Sequence, residues 1–72
     1  MVRQAVQSSS IASVGYDPVS RTLEVEFHNG HVYRYDDVPP DIADGLRQAT
    51  SLGTYFNEVI KKAGYTTWRR VG

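Results

Sequence analysis

A chain of 72 residues has room for one small domain, and a core of that size supplies only about 3–5 kcal/mol unless something staples it. With no cysteine, neither a disulfide nor a thiolate metal site can be that staple, and the composition fits a reducing compartment. The formal charge is zero but uneven: residues 1–45 carry three arginines against seven carboxylates, whereas residues 46–72 carry five cations against Glu58 alone. Such asymmetry marks either an acidic face and a basic end or two halves that attract each other across one fold.

The opening "MVRQAVQSSS" holds no apolar run long enough for a signal peptide or a membrane span, so a cytoplasmic protein with no membrane contact is expected. Residues 1–9 are polar and unpatterned and read as a flexible arm, leaving residues 10–72 as a single domain. "SIASVGY" from Ser10 to Tyr16 reads as a first strand, and "DPVS" supplies the Asp and Pro of a type I turn. "TLEVEF" alternates strictly, with Leu23, Val25 and Phe27 on one side and Glu24 and Glu26 on the other, the pattern of a half-buried strand. Asn29-Gly30 then turns the chain into a third strand, "HVYRYD".

Val38-Pro39-Pro40 ends the sheet, and Pro40 suits the first turn of a helix, where its missing N–H is not needed. Ile42, Leu46 and Ala49 recur at helical spacing, with Asp41 and Asp44 near the positive end of the helix dipole. Ser51 can cap a second helix whose apolar stripe is Leu52, Phe56, Val59, Ile60 and Ala63, with Gly64 as a stop. The remaining "YTTWRRVG" is rich in β-formers and reads as a short strand or an extended clasp. The expected fold is α+β: a three-stranded antiparallel meander followed by two short helices on one face, with the glutamate face in water.

The direction of Tyr33 and Tyr35 depends on hairpin register. A two-residue Asn29-Gly30 loop would put Arg34 opposite Val25, driving a guanidinium into the apolar face. A three-residue loop of His28-Asn29-Gly30, with Gly30 left-handed in a bulge, pairs Val25 with Tyr33, Leu23 with Tyr35 and Glu24 with Arg34. A one-residue slip inverts every side chain, and only the second register satisfies an ion pair and builds a continuous apolar face. The tyrosines are therefore expected to point inward, as core before ligand surface.

In order along the chain, "SIASVGYDP", "TLEVEFHNGHVYRY", "VPPDI", "ATSLGTYFNEVIKKAGY" and the final "RRV" resemble the KTSC domain. The Tyr-x-Tyr signature of that family is matched by Tyr33-Arg34-Tyr35, its Val-Pro step by Val38-Pro39, and its Ala-x-Ser-x-Gly-x-x-Phe-Asn pattern by Ala49, Ser51, Gly53, Phe56 and Asn57. The resemblance covers about residues 10–71. It implies a domain that occurs at the C-terminus of some lysyl-tRNA synthetases and as small stand-alone bacterial proteins. It also implies RNA as the suggested ligand, with no established catalytic residues. Tyr33, Tyr35, Ser51, Gly53, Phe56 and Asn57 are accordingly expected to be structural in the main: Ser51 as a cap, Gly53 as a close helix contact, and Asn57 as a ligand group or a tie to a loop.

His28 and His31 flank the hairpin tip, while Asp36 and Asp37 lie ~15 Å along the strand at ~3.3 Å per residue, so converging metal ligands are not expected. No nucleophile–base or carboxylate-dyad spacing stands out, and neither catalysis nor a cofactor is expected. The sharper candidate is the basic and aromatic end: Lys61, Lys62, Tyr65, Trp68, Arg69 and Arg70. Cations neutralise phosphates, and aromatic faces stack unpaired bases at about 1–3 kcal/mol each. Trp68 has an alternative role as cover for a small core. Two functions remain open, a non-catalytic RNA-binding module and a protein-interaction or self-associating module, the second because a zero net charge does little to oppose association.

Overall fold

The computed structural model describes residues 2–61 and 68–72. Among them, β1 (Gln4–Ala5), β2 (Ile11–Asp17), β3 (Thr22–Phe27) and β4 (Val32–Tyr35) are followed by α1 (Pro40–Gln48), α2 (Leu52–Tyr55) and β5 (Trp68–Arg70). α2 runs directly into a π-helical segment, Phe56–Lys61. The sheet is antiparallel throughout with strand order β1-β2-β3-β4-β5. The α+β class, the meander and the two helices are those the sequence predicts.

The sheet, however, is not three-stranded: four strands of three or more residues are joined by a two-residue strand at one edge. Residues 1–9, expected to be a flexible arm, contribute β1, in which Gln4 pairs with Val14 and Ala5 with Ser13. β5 resolves the choice between strand and clasp by pairing with the outer edge of β4. Both additions satisfy backbone groups that a bare three-stranded sheet would leave open along its edges.

The hairpin adopts the three-residue register. Val25 pairs with Tyr33, Leu23 with Tyr35 and Glu24 with Arg34. The Phe27 N–H donates to the His31 carbonyl and the Gly30 N–H to the Phe27 carbonyl, each at 2.9 Å, with Gly30 at φ 90°. This turn requires glycine, since an L-residue in the left-handed region costs roughly 1–2 kcal/mol. Gly30→Ala is therefore expected to lower the melting temperature by about 4–15 °C, measured by circular dichroism. A Cβ there would meet no atom within 4 Å, so the loss isolates backbone strain from steric clash.

α1 starts at Pro40 and carries Asp41 in its first turn and Arg47 in its last. Ser51 caps α2, its Oγ accepting from the Thr54 N–H at 3.4 Å. The helices cover the face formed by Leu23, Val25 and Tyr35, burying Ala43, Leu46, Leu52, Phe56 and Ile60 in one cluster with Ile11, Val14 and Val38. Two tyrosines lock this layer through backbone carbonyls: Tyr16 donates to Val38 and Tyr55 to Ile42.

Candidate functional site

Pleating sends alternate residues of β3 and β4 to opposite faces, and each face carries its own chemistry. On the helix side, Phe27, Tyr33, Tyr35 and Phe56 meet edge to face. Centroid separations are 5.7 Å for Phe27–Tyr33, 5.4 Å for Phe27–Phe56 and 5.6 Å for Tyr35–Phe56, with interplanar angles of 71–77°. Such pairs gain about 0.5–1.5 kcal/mol beyond their buried area. With Lys61 they line a cleft of about 170 Å³. A wider, shallower depression of about 340 Å³ adjoins it, lined by Ser10, His28 and Asn29 and sharing Phe27 and Tyr33 with the cleft. His28 is tied in place there through Nε2, 2.8 Å from the Ser8 carbonyl oxygen.

Tyr35 is only 6% exposed, and Tyr33 is half-buried. Burial, reinforced by the neighbouring Tyr33, pushes the Tyr35 phenol up to about 12, so it is protonated and a hydrogen-bond donor at neutral pH.

The opposite face is not the watery surface its glutamates suggest. Glu24 is 4% exposed. Its Oε2 accepts from Nε and Nη2 of Arg34 at 3.1 and 2.8 Å, and its Oε1 accepts from Nη1 of Arg3. Arg3 also donates to Ser13, which in turn donates to Glu26 at 2.8 Å. A carboxylate flanked by two guanidiniums can be buried where a lone one cannot. Burial alone would raise the Glu24 pKa, but the hydrogen bonds from Arg34 and Arg3 outweigh it and hold the carboxyl below the usual range.

Glycine at position 15 lets Val2 and Arg3, the residues leading into β1, pass close over this face. A Cβ there would lie 2.9 Å from the Val2 carbonyl oxygen and 3.0 Å from the Arg3 side chain. The Arg3–Glu24 link spans 21 residues and has no local pattern to reveal it. Its one sequence signal was a glycine inside a strand, which often marks close backbone approach.

Of the residues expected to bind RNA, the structure describes Lys61 and Arg70 with their side chains, and Trp68 and Arg69 by strand register. Lys61 is exposed on the rim of the aromatic cleft. The β5 register sets Trp68 opposite Tyr35, Arg69 opposite Arg34 and Arg70 opposite Tyr33. Positions 68 and 70 thus belong to the cleft face and position 69 to the Glu24 face. Arg70 is exposed, its Nε donating to the Gly72 carbonyl at 3.1 Å. Lys62 and Tyr65 lie outside the described residues. Of the motif residues, Phe56 and Tyr35 are core, Ser51 is a cap, and Gly53 packs near Ser10, whose Oγ would lie 3.2 Å from an added Cβ. Asn57 is exposed.

This frame has counterparts among known proteins. The family model of the KTSC domain matches residues 7–65. The chain belongs to the KTSC domain family. A KTSC domain protein from Yersinia pestis has a crystal structure that superposes with a TM-score of 0.89 at 42% identity, covering 99% of this chain and 97% of that one. An uncharacterised protein of Stutzerimonas stutzeri is 52% identical over 69 residues, which is 96% of this chain and 97% of the relative. A lysine–tRNA ligase of Nostoc punctiforme is 40% identical over 55 residues, 76% of this chain but only 10% of the ligase. The aromatic cleft and Glu24 fall inside the span matched to the KTSC family, whereas β1 and β5 lie outside it. No helix among the described residues is long and apolar enough to cross a membrane.

Proposed function

We propose that this KTSC domain is a small, non-catalytic RNA-binding module that engages unpaired nucleotides on the helix-side face. The observation that carries this reading is the aromatic cleft with an exposed lysine on its rim, the pairing of ring surfaces and positive charge that single-stranded nucleic acid requires. The similar segment within a lysine–tRNA ligase supports it, because that enzyme acts beside an RNA.

Anisotropy titrations of labelled tRNA and of a labelled single strand test it. With two phosphate contacts, from Lys61 and Arg70, raising salt from about 50 to 200 mM should weaken single-strand binding about seven-fold. Lys61→Glu with Arg70→Glu should abolish binding with the circular dichroism spectrum intact, since both side chains are exposed. Arg69→Glu is less suitable, because position 69 pairs in register with Arg34, the partner of Glu24. Absence of RNA affinity, combined with concentration-dependent association in sedimentation, would favour the protein-interaction reading instead.

A further inference from the structure

Within that RNA-binding reading, we propose that the cleft between β4 and the π-helical segment is a pocket for a single unpaired nucleobase. In it, the Tyr35 hydroxyl donates a hydrogen bond to the base edge and Lys61 meets the adjoining phosphate.

The hydroxyl of Tyr35 is the deciding group. Tyr16 and Tyr55 direct their hydroxyls to backbone carbonyls of the core. Tyr35 is more than nine-tenths buried and lines the cleft, yet its hydroxyl has no hydrogen-bond partner among the described residues. None of the buried side-chain polar atoms described is left unsatisfied, so this unpartnered oxygen keeps some contact with solvent. A tyrosine hydroxyl among the aromatic residues that line the cleft suits a ligand that is flat and carries acceptors on its rim. Nucleobases present carbonyl and ring-nitrogen acceptors there. Because the phenol is held in its protonated form, it can only serve such an acceptor as a donor at neutral pH.

Size and charge narrow the occupant. The cleft, about 170 Å³, is smaller than the ~300–1,000 Å³ of pockets that enclose a drug-sized ligand, so it takes one ring and excludes a helix or a duplex. Phe27, Tyr33 and Phe56 supply the ring contacts, and Lys61 at the rim supplies the only charge lining it among the described residues. The adjoining shallow depression shares Phe27 and Tyr33, which gives the next nucleotide a path toward the hairpin tip.

The test uses the full chain, fluorescein-labelled hexauridylate, UMP and inorganic phosphate. Tyr35→Phe keeps the ring and removes only the hydroxyl. It should bind hexauridylate about five-fold more weakly at an unchanged melting temperature, the loss of one neutral hydrogen bond. UMP should shift the backbone amide resonances of Phe27, Tyr33, Tyr35 and Phe56, and phosphate alone should not. If Tyr35→Phe binds hexauridylate as tightly as the parent and UMP shifts resonances elsewhere, the pocket is refuted while RNA binding stands. If the parent binds neither hexauridylate nor UMP, pocket and RNA reading fall together.

Discussion

Replacing Tyr35 by alanine is expected to leave most molecules unfolded at room temperature. The side chain sits opposite Leu23 in the sheet, is 6% exposed, and packs edge to face on Phe56. Truncating a buried aromatic removes its transfer free energy and leaves a cavity, together about 3–5 kcal/mol. A single core of this size has only about 3–5 kcal/mol in total. Tyr35→Phe serves as the control and should melt with the parent, because the hydroxyl contributes no bond to the described protein. Tyr33→Ala should cost less, since Tyr33 is half-buried. Urea titrations followed by circular dichroism would settle this, and a Tyr35→Ala melt within about 5 °C of the parent would overturn the inward assignment.

The second large effect belongs to the opposite face. Glu24→Gln removes the charge shared by Arg3 and Arg34. Breaking a fully buried pair costs about 3–5 kcal/mol, but the two arginine side chains are 31% and 34% exposed, so solvent recovers part of it. About 2 kcal/mol at neutral pH, or roughly 8–16 °C in melting temperature, is the expected loss. The sign with pH follows from the lowered Glu24 pKa. The folded state holds the proton less tightly than the unfolded chain, so the stabilisation is complete above the ordinary value of 4.5 and is lost as pH falls through the lower folded value. The parent should therefore lose stability on acidification below about pH 4.5 more steeply than Glu24→Gln, and the gap between them should close. Parallel pH profiles for the two proteins would refute the clamp.

These two residues also show what could be read in the chain and what could not. The register of β3 on β4 was legible because alternation and one ion pair both reject the slipped alternative, and Tyr35 followed from it. Ser51 and Pro40 were legible as local signals of helix entry. The burial of Glu24 was not, because its second partner arrives from residue 3, in a polar segment whose two-residue strand has no periodicity to detect. The π-helical turn was equally hidden: Leu52, Phe56 and Ile60 satisfy an apolar stripe whether the last turns are α or wider. The basic end was read from linear spacing alone, which does not record pleating. Once β5 pairs with β4, successive positions of β5 fall opposite residues of alternate faces.

The Glu24 clamp also sets how a polyanion would experience this domain. The chain has eight lysines and arginines, yet Arg3 and Arg34 already share a carboxylate and Arg47 is paired with Asp44. Cations neutralised within the fold displace few of the counterions condensed on the polyanion. The ionic-strength dependence of RNA binding should therefore count only the exposed charges around the cleft, and fall well short of the slope that the basic residue total implies.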